Sequence, residues 1–301
     1  PRLMEIVASA VAKAAMDSGV AKHPITDWEA YEMELLNRLG LDNKLIRNIT
    51  EKAQNSPKRV VFAEADNIKI LKAAQTASEE GVAIPILLGK AKIIENLIEE
   101  YAFEFPDVEI IDPKSDEERD RRETFGKAFF EKRNRKGTTE FEAIQIMRER
   151  NHFGAMMVEM GDADAMITGI TRNYRDVVRP AIQTVGMQKG ISTLAGMYIL
   201  NTKRGPLFLA DTTINMNPTA EQIAEITSNV AKTIRKFKVT PRVALLSYSN
   251  FGSAAGDDAI KMSEAVKLIK ENDPNLIVDG EVQANFALNN ALMTEKFSFS
   301  T

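Results

Sequence analysis

The chain has 301 residues, 44% hydrophobic and 27% charged, with a formal charge of −4. This predicts a globular protein of about two domains and excludes attraction to nucleic acid or anionic membrane through overall charge. The absence of cysteine excludes disulfides, thiolate catalysis and cysteine-based zinc sites, and leaves His23 and His152, both read as structural, as the only imidazoles. No apolar run reaches the roughly 18 residues of a membrane span, so a soluble cytoplasmic protein with no metal site is expected.

In chain order, PRLMEIVASAVAKAAMDSGVA lacks the basic start and long apolar core of a signal peptide. It begins without Met and reads as a cut from within a longer chain. In TDWEAYEMELLNRLG, Thr26 stands three residues before Glu29, with Trp28, Met33, Leu35, Leu36 and Leu39 behind, which predicts a capped connecting helix and makes residues 1–50 a helical linker. QNSPKR punctuates. Strand and helix patterns then alternate: RVVFAEA, a helix from about Ile68 to Glu80, VAIPILLG, a helix to about Tyr101, and VEIID. That is the βαβ signature of a parallel sheet. A charged helical stretch over 114–150 is interrupted at Lys136-Gly137, and Met156, Met157, Met160 and Met166 read as core filling. ADAMITG resumes the strands and closes a first α/β domain, 51–187.

The second domain, 188–301, opens with STLAGMYIL and PLFLAD, joined by a turn short enough for antiparallel neighbours, so a mixed sheet is expected. Thr219 and Gln222 have capping-box spacing ahead of a helix to Lys236. RVALLSYSNFGSAAGDDA follows, then a helix to Lys270, LIVDG and a last helix. No internal repeat, low-complexity segment or Gly-x-Gly-x-x-Gly fingerprint occurs.

Three places carry candidate chemistry. The apolar run Val243–Leu246 predicts a strand buried on both faces, and ligands bind outside the carboxyl ends of such strands. The loop after it offers Ser247, Ser249, Asn250 and Ser253, while Gly252 and Gly256 admit a ligand to the backbone and the helix from about Asp257 presents free N–H groups. Ser, Asn and Gly build turns and caps equally well. Beyond Thr168 and Gly169 at the end of ADAMITG, Arg172, Arg175 and Arg179 recur at i, i+3 and i+7. On a helix they share a face that suits an anion, although Pro180 disfavours helix at Arg179 and a solvated charged face is the alternative. Asp211, ending PLFLAD, is either a functional carboxylate or a turn cap.

The ordered motifs ADAMITG, VVRPAIQTVG, FLADTTINMNPTAEQIAEI, ALLSYSNFGSA and IVDGEVQAN resemble those of the phosphate acetyltransferase family, with RKGTTEFEA ahead of them. The resemblance covers about residues 55–290. It implies an α/β, two-domain phosphate acetyltransferase-like (isocitrate/isopropylmalate dehydrogenase-like) architecture with an interdomain cleft for acyl-CoA and phosphate. Arg133 and Arg179 match the family arginines that hold the acyl phosphate, and the serine loop at 247–253 borders the cleft.

Two departures argue against acetyl transfer. Asn250-Phe251-Gly252 stands where free-standing transferases tend to have Ser-Thr-Lys-Gly, and the family's late Ser-Arg pair and following Asp lie beyond TEKFSFST, so no catalytic residue is assigned. The N-terminal segment and the Asn-Phe-Gly-Ser loop are similar to the long bacterial NADP-dependent malic enzymes that carry an appended transacetylase-like domain. That similarity implies a regulatory domain binding acetyl-CoA, self-association as a homodimer or larger, and the malic enzyme's catalytic domains as partner. NADP and a divalent metal are placed in those domains and no cofactor here.

Overall fold

The computed structural model describes residues 2–28, 30, 31, 34, 35, 41–202 and 205–300, which fall into two compact units. One is Thr50–Lys189; the other combines the residues up to Ile49 with those from Gly190. The N-terminal residues include α1 (Arg2–Asp17) and α2 (Leu41–Gln54), and the described residues 28, 30, 31, 34 and 35 between them are also helical. Between them Asp27 Oδ1 accepts from the Ala30 amide at 2.9 Å. Glu29, Met33, Leu36 and Leu39, which completed the predicted capped helix, lie outside the described residues. Among the described residues no helix is long and apolar enough to cross a membrane.

In the unit Thr50–Lys189, the predicted alternation builds a parallel sheet. Its elements are β1 (Lys58–Phe62), α3 (Ile68–Glu79), β2 (Ala83–Leu88), α4 (Ala91–Glu100) and β3 (Glu109–Ile111), then α5 (Arg119–Arg133), α6 (Glu140–Ile146), α7 (Arg150–Met160), β4 (Ala165–Ile167) and α8 (Tyr174–Thr184). The strand order is β3-β2-β1-β4, with every neighbouring pair parallel. Successive strand residues point to opposite faces, so Val61, Ile86 and Leu88 pack with Phe125, Phe129, Phe153 and Met156, while Phe62 and Leu87 pack with Leu71, Ala74 and Ile94. Each fully buried Leu, Phe or Met contributes about 1.5–3 kcal/mol. Met157 is also core, but Met160, closing α7, is 45% exposed. The expected interruption at Lys136-Gly137 is a 3₁₀ turn, Asn134–Lys136, ended by Gly137 at φ 84°; Thr139 and Glu142 then form a capping box into α6.

The other unit departs more from expectation. β5 (Met197–Thr202) and β6 (Gly205–Ala210) form an antiparallel hairpin; α9 (Ala220–Lys236) follows, capped by Thr219 and Gln222 as predicted. β7 (Arg242–Leu246), α10 (Asp257–Asn272) and β8 (Ile277–Val282) make a parallel pair with its crossover, and α11 (Ala284–Ala287) and α12 (Asn290–Lys296) end the chain. The expected mixed sheet is instead two separate ladders among the described residues. Residues of β6 and β7, among them Leu207, Leu209, Val243 and Leu245, line an apolar cavity of about 490 Å³ in place of hydrogen bonding to one another. β7 is not buried on both faces: Leu245 packs with Ala265, Ile269 and Val278, whereas Leu246 is 44% exposed. A strand with a single hydrogen-bonded neighbour, lining a cavity, is left partly open.

Candidate functional site

At the carboxyl end of β1 the chain continues into Glu64, 1% exposed. Its carboxylate accepts from the amides of Gly169 (2.5 Å), Ile170 (3.0 Å) and Thr171 (2.7 Å), and from the Thr171 hydroxyl. Burial pushes its pKa up, but the hydrogen bonds from Thr171 and Gly169 outweigh that and hold it below the usual carboxylate range. The Thr168 hydroxyl has one proton for two acceptors, Asn151 Oδ1 at 2.9 Å and Glu64 Oε1 at 3.2 Å. At this strand end, where the arginine spacing suggested a ligand anion near Thr168 and Gly169, the amides of residues 169–171 are engaged by an internal carboxylate.

Asn151 extends this network. It is 1% exposed, and its Nδ2 donates to the carbonyl of Asp176 at 3.1 Å. The reason is covalent: α8 runs through Arg179 and contains Pro180, which has no N–H for the carbonyl four residues back, that of Asp176. The helix break anticipated before Pro180 is avoided because Asn151 supplies the missing donor. Arg172 precedes α8, so only Arg175 and Arg179 of the predicted triad are helical.

The segments from α5 to α8 line an open cleft of about 790 Å³. Arg133, Lys136, Arg172 and Arg179 line it, and Arg175 does not. None of these four cations forms an ion pair among the described residues, and Arg133 Nε is buried without a hydrogen-bond partner. Of the carboxylates in the wall, Glu142 is committed to the capping box with Thr139. Glu149 caps α7, accepting from the Asn151 and His152 amides at 2.9 and 3.1 Å; burial raises its pKa, yet its bonds to His152 and Asn151 leave it lowered. Asp176 is the third. His152 Nδ1 faces Glu149 Oε2 at 3.2 Å, Nε2 faces Gln183 Oε1 at 3.1 Å, and its ring meets Phe129 edge-on. Guanidiniums match the paired oxygens of phosphate and carboxylate, so this wall can hold a polyanion by charge-assisted bonds. Sequence reasoning did not name Lys136, Glu149 and Gln183 as part of this wall, and His152, read as structural, also lines it. The readable signal was Arg133 and Lys136 one turn apart.

The serine loop lies in the other unit, built around Glu281, 2% exposed. Glu281 Oε1 accepts from Ser249 Oγ at 3.1 Å and from the Gly252 amide at 2.5 Å, while its carbonyl takes the Phe251 amide at 2.8 Å. Ser249, fully buried, also lies 3.2 Å from Ser253 Oγ, which receives the Asn250 amide; Asn250 Oδ1 accepts from Gln283 N. The Ser247 amide donates to the Val282 carbonyl at 3.0 Å. Phe251, at φ +46°, stacks edge-on against Phe297 and Phe299 at centroid distances of 5.0 and 5.1 Å. At Gly256 the Tyr248 side chain lies over the backbone, its hydroxyl oxygen 1.9 Å from where a Cβ would stand. Acidic residues Asp257 and Asp258 fill the first turn of α10.

Asp211 caps its turn, accepting from the amides of Gly196 (3.1 Å), Ile214 (3.2 Å) and Asn215 (2.8 Å). Glu225 likewise receives Ser192 N, Ser192 Oγ and Thr193 Oγ, each at 2.6 Å, which lowers its pKa to about 2.

Comparison with known proteins places the chain. It is 37% identical over 305 residues to an NADP-dependent malic enzyme of Escherichia coli, covering 100% of this chain and 40% of that one. A phosphate acetyltransferase of Synechocystis is 32% identical over 267 residues, covering 88% of this chain and 38% of its own length. The chain therefore spans about two fifths of these relatives. Among solved structures, the EutD phosphotransacetylase from Staphylococcus aureus superposes with a TM-score of 0.74 at 28% identity, covering 85% of this chain and 78% of that one. The profile of the phosphate acetyl/butaryl transferase family matches residues 44–301, and the chain belongs to that family.

Proposed function

We propose that this chain is the regulatory, acetyl-CoA-binding domain of an NADP-dependent malic enzyme and that it binds without acetyl transfer. The observation that carries the reading is the arginine-lined cavity: four cations without ion pairs among the described residues, one with a buried N–H awaiting an acceptor, around a space of about 790 Å³. Acetyl-CoA brings phosphoryl charge and enough bulk to occupy it. Against turnover stands the serine loop, with Ser249 and Gly252 engaged by Glu281 and Phe251 where the family tends to have Lys. Likeness to malic enzymes at two fifths of their length supports assigning malate oxidation, with its NADP and divalent metal, to the remaining part of such proteins. A cytoplasmic homodimer or larger assembly is the form proposed for the intact enzyme.

Calorimetric titration with acetyl-CoA and an assay of CoA release in the presence of phosphate test this together. Saturable binding with no release is expected. Turnover at about 1 to 10³ per second would instead establish the alternative, an active phosphate acetyltransferase. Absence of binding would refute both.

A further inference from the structure

A second, smaller cavity lies at the carboxyl edge of the same parallel sheet. Gly89 and Lys90 follow β2, Asp112 and Lys114 follow β3, Arg148 and Arg150 stand at the entry to α7, and Arg172 precedes α8; all line a space of about 90 Å³. Ligands of open α/β sheets bind outside strand carboxyl ends. This space exceeds what a single ordered water needs and admits a small oxyanion.

The wall charge is one-sided. Arg150 is committed to Asp66 through a fork at 2.6 and 2.9 Å, and Arg148 reaches only the Lys114 carbonyl, at 3.4 Å. Lys90, Lys114 and Arg172 form no ion pair among the described residues. Both carboxylates in the wall are engaged by backbone, Asp112 by the Lys114 amide at 2.9 Å and Glu149 by the start of α7. The five cations of the wall outnumber its two carboxylates, and with Arg150 paired to Asp66 the remaining excess of positive charge is relieved by a bound anion. Arg172 and Glu149 line both this space and the larger cavity, so the two adjoin.

We infer that the smaller cavity is a phosphoryl subsite, taking a phosphoryl group carried by the ligand of the larger cavity or supplied as free phosphate. Only the first source rests on the acetyl-CoA reading. The test compares the wild type, Lys90→Ala/Lys114→Ala and Lys90→Arg/Lys114→Arg by calorimetry at fixed ionic strength, titrating inorganic phosphate, acetyl-CoA and 3′-dephospho-acetyl-CoA. Both lysines are exposed, so their substitution opens no cavity in the core. For a group on the ligand, the alanine pair raises the acetyl-CoA Kd about tenfold or more, the arginine pair restores most of it, and removing the 3′-phosphate then costs the alanine pair far less than the wild type. For free phosphate, only the phosphate titration weakens. If the alanine pair binds all three probes as the wild type does, the subsite is refuted. Failure of the wild type to bind acetyl-CoA would overturn the larger-cavity reading alone, and inorganic phosphate would still decide the subsite.

Discussion

Replacing Glu64 tests whether a buried carboxylate holds the loop after β4. Glu64→Ala strands the amides of Gly169, Ile170 and Thr171, each costing about 1–3 kcal/mol when left unsatisfied. Their sum is about 3–9 kcal/mol; relaxation of the loop and entry of water keep the lower part, about 3–5 kcal/mol. Glu64→Gln retains one acceptor oxygen but turns an NH₂ toward a donor, so about 2–3 kcal/mol is expected. At a urea dependence of about 2 kcal/mol per molar, Glu64→Ala lowers the unfolding midpoint of the unit Thr50–Lys189 by about 1.5–2.5 M. Because the folded pKa of Glu64 is depressed, its stabilisation is complete above the unfolded value near 4.5 and is lost as pH falls through the native one. The gap between wild type and Glu64→Gln must therefore narrow below about pH 4.5. Urea melts followed by circular dichroism, with hydrogen exchange at residues 169–171, provide the assay. Unchanged midpoints together with unchanged exchange at those amides would show that the carboxylate does not hold the loop.

Arg179→Ala should raise the acetyl-CoA Kd by roughly ten- to a hundredfold, with Arg179→Lys recovering only part because it loses the fork; equal calorimetric affinities would make Arg179 structural. Asn151→Ala should cost about 1–3 kcal/mol in chemical denaturation, and less in a Pro180→Ala background, where a restored N–H can satisfy the Asp176 carbonyl; strict additivity would count against the substitution of one donor for the other. The Ser192–Thr193 contact with Glu225 should hold above about pH 4.5 and loosen as pH falls toward about 2, seen as faster exchange of the Ser192 amide after correction for intrinsic rates; protection unchanged across that range would refute it.

Local chemistry determined much of this protein before any contact between distant residues was known. The apolar runs around Val61, Ile86 and Ile110 specify strands, and the intervening helical periodicity specifies parallel pairing, because a parallel neighbour needs a long crossover. The cap at Thr219 is written in four residues. Arg133 and Arg179 were readable as an anion pair only through family likeness; their 45 intervening residues carry no spacing rule, and folding alone brings both to one cavity. Tertiary structure also decided which polar loops are open. Glu64 stands more than a hundred residues from Gly169, and Glu281 about thirty from Gly252, so no local pattern reveals that each loop's donors already have a carboxylate. Pro180 shows the same limit: its local rule breaks a helix, and a buried Asn151 from another helix supplies the hydrogen bond that lets the helix continue. Backbone propensity and turn chemistry act over a few residues and are legible in order; the satisfaction of buried polar groups is settled by partners that only the fold brings within reach.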